Sequence, residues 1–277
     1  MLDSNKIGQR IAGLRKERGY TQEQLAGFLN VTGQAVSKWE KGQALPDTTL
    51  LPVIAKVLDT SIDRLLTGGD RVVQDSPYDK EYEKQEYYWG LKHSTLAERV
   101  VALMPDTEEE RRHLLDIGSG EGRDSVYFAK WGFYVDALEI SLPGIEKCKQ
   151  YSEAAGHLVN TIHADMIGYE LTKPYDVIYS MGALQFLPLA QRQRHFDKYK
   201  QYTAVGGLNA HLVFVEKPFI KVAPDWEKNE FFYRSGELAG YYHDWQILFC
   251  EEQIFECNSA NISHQHAVSC IIAQKIE

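Results

Sequence analysis

The stretch "HLLDIGSGEGRD", which begins at residue 113, carries the residues of this chain that are best placed to do chemistry. Asp116 ends a short apolar run, and three alternating glycines follow it, Gly118, Gly120 and Gly122. Loops of this type bring the backbone close to a nucleotide-like ligand. In a dinucleotide-binding loop the third glycine would stand at the position of Arg123, and Glu121 would repel a diphosphate. The acids in and before the loop therefore favour a ligand with positive charge.

Carboxylates also stand at the ends of the next two predicted strands. Glu139 ends the strand "FYVDALEIS" about twenty residues after the loop, where an acid can accept both hydroxyls of a ribose. Asp165 follows the strand "LVNTIHADM", where its carboxylate could accept an adenine amino group. The fourth strand ends in "YSMGALQF", which would lie under the reacting group. Each feature alone also fits a tight turn, a helix cap or a surface acid, and only their order at successive strand ends indicates a ligand site.

The ligand that fits this order is S-adenosylmethionine, which carries positive charge on its sulfonium and its amino group. Asp116 and the loop amides near Gly118 would hold its amino-acid end, and Tyr88 or Trp89 would stack against the sulfonium. The predicted cofactor contacts are Asp116, Gly118, Ser119, Gly120, Gly122, Glu139, Ile140, Asp165, Met166, Ser180 and Tyr88.

These contacts require a sheet that brings successive strand ends to one edge. From residue 95 onward, helical patterns such as "LAERVVALM" alternate with short apolar strands, and the chain ends in a strand pair. The alternation predicts a doubly wound, Rossmann-like domain with a mostly parallel, seven-stranded sheet and helices on both faces. Residues from about 88 to 277 resemble the class I S-adenosylmethionine-dependent methyltransferases, and this resemblance implies the same fold, cofactor and methyl transfer.

Three segments, "YYWGLKHSTLAERV", "LLDIGSGEGRDSVYFAKWGFYVDALEIS" and "FYRSGELAGYYHDWQI", resemble the tellurite-resistance and thiopurine-like branch of these enzymes. The resemblance implies methylation of a soft nucleophile, such as a thiol, selenium or tellurium species. The "PPY" motif that amino-directed nucleic-acid methyltransferases carry after strand four is absent, and "SMGA" stands there. The aromatic segment 217–233 departs from the branch and leaves a small organic substrate open.

Arg234 and His243 are the predicted catalytic residues. The resemblance places Arg234 over the active site, where its guanidinium would orient an anion, and His243 would act as a base. Methyl transfer from a sulfonium is an in-line displacement, so a soft anion needs positioning and charge stabilisation more than a strong base. The alternatives are an ion pair between Arg234 and Glu237 and an exposed loop position for His243.

The first seventy residues have the pattern of a small helical domain. "TQEQLAGFLN" begins with a capping box of Thr21 and Gln24, and Thr32 caps the helix "GQAVSKWEKG". Two capped helices joined by a short turn predict a helix-turn-helix. The stretch "TQEQLAGFLNVTGQAVSKWEKGQALP" resembles the Cro and phage-repressor (XRE) family, which implies a five-helix DNA-binding domain that is usually dimeric on DNA.

A polar stripe on the third helix is the predicted surface for double-stranded DNA. Gln34 suits an adenine edge or a phosphate, and Lys38 suits a guanine edge or a phosphate. The predicted DNA-binding residues are Gln22, Thr32, Gln34, Ser37 and Lys38. The alternative is a plain helical bundle whose polar stripe is solvated.

The predicted domains are a helix-turn-helix domain at 1–69, a linker or clasp at 70–90 and a methyltransferase domain at 91–277. Gly68–Gly69 is the expected hinge. Tyr87, Tyr88 and Trp89 either clasp the second domain or also line its ligand pocket.

Charge and composition limit the function classes. The net charge is −9 over 277 residues, and residues 1–70 hold nine Lys and Arg against eight Asp and Glu, so the remainder is strongly acidic. Nucleic acid is therefore not expected as the substrate of the second domain. With no signal peptide or apolar run of membrane-spanning length, we expect a cytoplasmic protein. The resemblance to the XRE family implies a homodimer. The spacing of the four cysteines predicts free thiols and no metal.

Three functions remain open at this stage. The first is an active methyltransferase joined to a DNA-binding domain. The second is a transcription regulator whose second domain only senses S-adenosylmethionine or a ligand. The third is a nucleic-acid methyltransferase guided by its own DNA-binding domain. The acidic second domain and the absent "PPY" motif count against the third.

Overall fold

The computed structural model describes residues 4–58, 60, 62–67, 76–104, 111–221, 230–257 and 263–277. The chain divides into two compact units, Met1–Gln74 and Asp75–Glu277. Within the described ranges, no helix combines the length and the apolar character that crossing a membrane requires.

The first unit is helical. Its described part holds five α-helices, α1 Ser4–Glu17, α2 Gln22–Leu29, α3 Gly33–Glu40, α4 Leu51–Val57 and α5 Ile62–Thr67. A 3₁₀ turn at Thr48–Leu50 precedes α4. The side chain of Asp47 causes this start, because its Oδ1 accepts the Thr49 N–H at 2.8 Å and so caps a separate short turn.

Local signals in the sequence set the bounds of α2 and α3. Thr21 and Gln24 form the predicted capping box at the start of α2. Asn30 ends that helix in the left-handed conformation, with φ of 54°, and Thr32 caps α3 by accepting the Ala35 N–H. Helices α1 and α3 pack closely because Gly8 has no side chain. A Cβ atom there would stand 2.0 Å from the carbonyl oxygen of Trp39.

A buried ion pair joins the helices of this unit. The Arg15 guanidinium donates to the Glu40 carboxylate at 2.5 and 3.0 Å and to the Tyr20 carbonyl, and Gln22 donates to the same carboxylate at 2.7 Å. Burial opposes the charge of Glu40, but the bonds from Arg15 and Gln22 outweigh it and lower the Glu40 pKa. The network therefore connects α1, α2 and α3 around one carboxylate.

The second unit has six α-helices in its described part, α6 Asp79–Tyr82, α7 Thr95–Leu103, α8 Arg123–Lys130, α9 Leu142–Ala155, α10 Leu189–Gln201 and α11 Glu237–Gly240. A 3₁₀ turn lies at Leu184–Phe186. The strands are β1 His113–Ile117, β2 Tyr134–Glu139, β3 Val159–His163, β4 Tyr175–Met181, β5 Thr203–Val215, β6 Gln246–Cys257 and β7 His264–Gln274.

These strands form one sheet in the order β3-β2-β1-β4-β5-β7-β6. The first five pair in parallel, and β7 is antiparallel to both β5 and β6. The predicted mostly parallel, seven-stranded, Rossmann-like sheet is confirmed. The strand order reverses between β1 and β4, and ligands of such sheets bind where the carboxyl ends of these strands meet.

Both faces of the sheet are covered, as the apolar strands require. Leu114 of β1 packs with Val126 and Phe128 of α8, and the next residue, Leu115, faces the opposite side with Phe196 of α10. This alternation along β1 follows from the two-residue period of a strand. The sheet is therefore the centre of two apolar layers, and its carboxyl edge is left for polar residues.

We expect Glu40→Ala to destabilise the first unit, because the buried Arg15 guanidinium would lose its carboxylate acceptors. Loss of one partner of a buried pair costs about 3 kcal/mol. Hydrogen exchange of peptides from α1 and α3 in the full chain should show this loss. Lys41→Ala, on an exposed residue next to Glu40, is the matched control. Equal protection in the two variants would contradict the structural role of the pair.

Candidate cofactor site

Glu139 organises the carboxyl edge of the sheet. It is the last residue of β2 and is buried, and its carboxylate accepts the Gly120 N–H at 2.8 Å and the Ser141 N–H at 2.9 Å. Burial raises the Glu139 pKa, although these N–H bonds favour the charged form. The carboxylate therefore joins the glycine loop to the end of β2. It has about four lone-pair positions, so positions beyond these two bonds remain.

The N–H groups of Gly118, Ser119, Gly120 and Gly122 in the glycine loop are bonded within the protein. Gly118 and Ser119 both donate to the Leu138 carbonyl, at 2.8 and 3.1 Å, and Gly122 donates to the Ser119 carbonyl at 3.0 Å. These N–H groups are therefore not free donors in the structure, and contact of Gly118, Ser119, Gly120 and Gly122 with a cofactor stays a prediction. The same bonds explain why the loop does not suit a diphosphate, which needs free N–H donors.

Two of the loop glycines are required by packing as well as by conformation. Gly118 has φ of +70°, and a Cβ there would lie 2.2 Å from the Cβ of Ala183, just past β4. Gly122 has φ of +86°, and its Cβ would lie 2.3 Å from the Cys148 Sγ of α9. The loop is therefore pressed between the end of β4 and a helix, which places three strand ends side by side.

Asp116 lies in a cluster of buried carboxyl groups. Its Oδ2 accepts the Ser125 hydroxyl, and Asp124 and Glu139 stand close enough to act on it. Burial, assisted by these two acids and opposed by Ser125, raises the Asp116 pKa to about 7. Cations are attracted to such a cluster, because they relieve the desolvation and repulsion of the carboxylates.

Glu121 does not add free negative charge to the loop, contrary to the sequence argument. Its Oε1 accepts the Lys147 ammonium at 2.8 Å, and its Oε2 accepts the Trp89 N–H at 3.2 Å. Lys147 also donates to the Glu86 carbonyl at 2.6 Å. The pair holds the segment before α7 against α9, so its role is structural.

That segment, residues 76–94, covers the glycine loop and is named the clasp here. Tyr82 of α6 is buried, and its hydroxyl accepts the Trp89 indole N–H at 2.9 Å and lies 3.0 Å from the Cβ position of Gly120. Asp79 accepts the Ser141 hydroxyl, next to Glu139. Asp79 and Tyr82 were not identified from the sequence, although the aromatic content of the segment was a signal.

The predicted aromatic contact Tyr88 lies in this clasp. Its ring meets the Trp89 ring edge-on, with centroids 4.7 Å apart, and lies 6.0 Å from the Tyr78 ring. The clasp therefore brings an aromatic group to the loop. Whether Tyr88 touches a cofactor stays a prediction.

Other predicted contacts lie at the same edge and have partners in the protein. The Asp165 carboxylate accepts the Ile167 N–H at 2.9 Å, and the Ser180 hydroxyl donates to the Ile117 carbonyl at 2.9 Å. The Ile140 carbonyl lies 3.0 Å from the His163 Nε2, and Met166 is half-buried. These residues shape the edge, and their contact with a ligand stays a prediction.

Arg234 lies at the carboxyl end of β5, because its neighbour Tyr233 bridges Val215. Its side chain is exposed, and its backbone N–H donates to the Glu237 carboxylate at 2.9 Å. The ion pair of Glu237 is with Arg192, at 2.6 Å. The alternative that Glu237 pairs with the Arg234 guanidinium is therefore replaced by this pairing.

Arg192 of α10 was not identified from the sequence. Its guanidinium is buried, stacks 3.6 Å over the Tyr233 ring and donates to the Phe231 and Phe232 carbonyls. Its Nε has no partner among the described residues. Its position in the polar sequence of α10 does not indicate that residues 231–237 fold over it.

His243 lies at the edge of the sheet opposite the glycine loop. The next residue, Asp244, pairs with Lys200 near the end of α10. Gln246 then begins β6 across from Gln274, which pairs with Leu208, and Leu208 pairs with Val177 near the amino end of β4. Parallel strands place the loop at their carboxyl ends, so His243 is not placed to act there.

The first unit presents the predicted polar stripe on α3. Gln34 and Lys38 are exposed, and Ser37 is half-buried. Thr32 caps α3, and Gln22 is tied to Glu40, so both have structural roles before any contact with DNA.

A seven-stranded sheet in this order, with a glycine loop after β1 and an acid at the end of β2, is the architecture of Rossmann-like methyltransferases. Residues 77–265 match the family described as tellurite resistance protein TehB, and the chain belongs to that family. Residues 11–65 match the helix-turn-helix family.

Individual relatives agree with this division. Haemophilus influenzae has a probable S-adenosyl-L-methionine-dependent methyltransferase TehB, which is 24% identical over 65% of this chain and 62% of its own length. The crystal structure of TehB from that organism has a TM-score of 0.57 at 21% identity, covering 72% of this chain and 65% of that one. The chain thus spans less than two thirds of these relatives.

The first unit has its own relatives. The SPbeta prophage-derived uncharacterized HTH-type transcriptional regulator YonR of Bacillus subtilis is 39% identical over 62 residues, which are 22% of this chain and 57% of that protein. The sequence resemblance to an XRE-type domain joined to a tellurite-resistance-type methyltransferase domain is therefore confirmed.

The raised pKa of Asp116 predicts a cost in stability for the ligand-free protein. Between its ordinary pKa near 4 and the folded value of about 7, the folded chain holds a proton that the unfolded chain has lost, so stability falls as pH rises through this window. Asp116→Asn should remove that slope and raise the melting temperature most at pH 8.

Asp136→Asn is the control of opposite sign. Burial opposes the charge of Asp136, but bonds from Lys173, Asn160 and Tyr175 lower its pKa, so its contribution is present at neutral pH and is lost on acidification. This variant should lose stability at neutral pH. Thermal melts from pH 5 to 8 compare the two, and a wild-type slope retained in Asp116→Asn would contradict the assignment.

Proposed function

We propose that the second unit is an S-adenosylmethionine-dependent methyltransferase and that the first unit binds double-stranded DNA and regulates transcription. The observation that carries the enzyme proposal is the pair of buried carboxylates, Asp116 and Glu139, around a loop in which four N–H groups are already bonded. This environment favours a cationic ligand with hydroxyl groups and disfavours a polyphosphate.

The chain's residues divide the proposed cofactor between them. Glu139 would accept ribose hydroxyls with its remaining lone pairs, and Asp116 would attract the amino group of the methionine end. Asp165 and Met166 would line the adenine side. The bound cofactor supplies a sulfonium-activated methyl group. The clasp would cover the loop and exclude water.

The proposed acceptor is a small, soft nucleophile, either a thiol, selenium or tellurium species or a small organic molecule. The family name and the position of His243 both support this choice, because a substrate that is already anionic needs no base from the protein. The exposed Arg234 at the end of β5 would orient such an anion. The mechanism then consists of positioning and charge stabilisation.

A second candidate function is a regulator whose second unit only senses the cofactor or a ligand. The helix-turn-helix match favours it, because an attached DNA-binding unit gives ligand binding a route to transcription. A protein of either kind would act in the cytoplasm, and we propose a homodimer, as DNA-binding units of this type commonly pair on two half-sites.

Turnover distinguishes the two candidates. We expect wild-type protein to bind S-adenosylmethionine in calorimetry and to form S-adenosylhomocysteine with tellurite, selenite or a small thiol. Glu139→Gln should weaken cofactor binding at least tenfold, about 1.4 kcal/mol, because the neutral amide is a poorer acceptor for two hydroxyls. Asp244→Asn, at the opposite edge, should bind normally.

The outcomes separate the proposals. Binding without product from any of the three acceptor classes would contradict the enzyme and favour the sensor. Unchanged affinity in Glu139→Gln would contradict the site in both.

For the first unit, we expect Gln34→Ala with Lys38→Ala to abolish selection of a preferred sequence from a random duplex pool. The pair removes a base-edge contact and a phosphate or guanine contact from the exposed face of α3. Lys56→Ala, exposed on α4, is the control for loss of charge alone. Cofactor affinity should stay unchanged in both. Selection by the double variant equal to that of the control would mean that the unit is only a helical bundle.

A further inference from the structure

The hairpin of β6 and β7 brings three metal-ligating side chains together outside the site described above. Cys257 is the last residue of β6 and lies directly across from His264, the first residue of β7. His266 follows two residues later. Since side chains two apart on a strand share a face, and directly paired residues share it too, all three lie on one side of the hairpin.

The ligand atoms of these residues are within reach of one cation. The two Nε2 atoms of His264 and His266 are 2.9 Å apart, and the Sγ of Cys257 and one nitrogen of each ring all lie within 4.8 Å of one another. A tetrahedral zinc ion, with bonds of about 2.1 Å to nitrogen and about 2.3 Å to sulfur, spaces its ligand atoms roughly 3.4–3.7 Å apart. Small side-chain rotations would therefore bring the three ligand atoms to three corners of a tetrahedron.

The surroundings also suit a metal. His266 is buried, with its ring 5.0 Å from the Phe214 ring and 5.6 Å from the Phe255 ring. Cys257 and His264 are half-buried, so solvent ions can reach the cluster. The apolar rings strengthen metal–ligand attraction by keeping water away on one side. The accessible side lets an ion enter.

We propose that Cys257, His264 and His266 form a binding site for a borderline divalent transition metal, with zinc as the preferred ion. One thiolate and two imidazoles are the donor set that zinc takes, whereas magnesium and calcium require oxygen ligands. Three protein ligands leave a fourth position for water or for a soft anion.

This proposal departs from the expectation of no metal. That expectation rested on linear patterns such as paired CxxC motifs, and the chain has Cys257, His264 and His266 in the spacing C-x₆-H-x-H. Strand pairing, which the linear pattern does not record, places the cysteine opposite the first histidine.

The site lies on the carboxyl side of the sheet. Phe214, which touches His266, is the next-to-last residue of β5 and lies 3.5 Å from the Cβ position of Gly182 at the end of β4. A bound ion would tie the end of β6 to the start of β7 beside this edge. Ion binding to the folded state alone must also raise its stability.

Cobalt is the probe for coordination, because tetrahedral Co²⁺ with a thiolate gives intense visible bands and a sulfur-to-metal charge-transfer band. We expect the reduced full chain to bind one Co²⁺ with this spectrum and one Zn²⁺ to abolish it. Cys257→Ser should remove the charge-transfer band, and His264→Gln should weaken Zn²⁺ binding at least tenfold. Cys250→Ser, exposed on the same strand, should behave as wild type.

A second readout guards against misfolding. Wild type and Cys250→Ser should melt at a higher temperature with Zn²⁺, while Cys257→Ser and His264→Gln should gain much less from the same Zn²⁺ concentration. A charge-transfer band retained in Cys257→Ser, an octahedral spectrum in wild type, or an equal loss in Cys250→Ser would overturn the proposal. Cys257→Ser and His264→Gln could both melt far below wild type without metal, and His266→Gln then serves as the third ligand variant. If zinc stabilises His266→Gln as much as wild type, the proposal is overturned as well.

Discussion

Parallel strand pairing is the constraint on which the second unit depends, because it brings the carboxyl ends of β1, β2 and β4 to one edge. The same pairing buries the acids at these ends, where an ionised carboxylate is costly without partners. Glu139 is held by the N–H groups of Gly120 and Ser141, and each bond also fixes a segment of the edge. The negative charge of Glu139 is therefore costly to bury, but its bonds also fix the conformation of the glycine loop.

Carboxylates at this edge fall into two groups according to their partners. Glu121 is neutralised by Lys147, and Asp124 accepts the Ser94 N–H and the Tyr179 hydroxyl, both at 2.7 Å. These bonds anchor the clasp and α7 to the sheet. Asp116 has a single hydroxyl partner, and its pKa is raised to about 7. Asp116 is therefore the acid that a cationic ligand would stabilise most, whereas Glu121 and Asp124 stabilise the fold.

Sequence patterns could predict elements whose causes are local. The capping box at Thr21, the Thr32 cap of α3 and the order of glycine loop and strand-end acids all depend on near neighbours along the chain. The misassigned features depend on distant ones. Glu121 meets Lys147 of α9 across 26 positions, and Arg192 meets Glu237 across 45 positions. Neither spacing nor residue type indicates such pairs, because the tertiary fold chooses them.

The histidines show why chemistry has to be argued from position as well as from residue type. Burial lowers the pKa of His195 to about 4 and that of His211 to about 3, so both are neutral core residues near pH 7. His243 lies at the amino edge of the sheet, away from the glycine loop. For the proposed methyl transfer, this position of His243 means that the acceptor itself would bring the electron pair, as a chalcogen anion or thiolate does at neutral pH. The proposed site would then have to bring two charged reactants together, a task for its carboxylates and for an arginine at the end of β5.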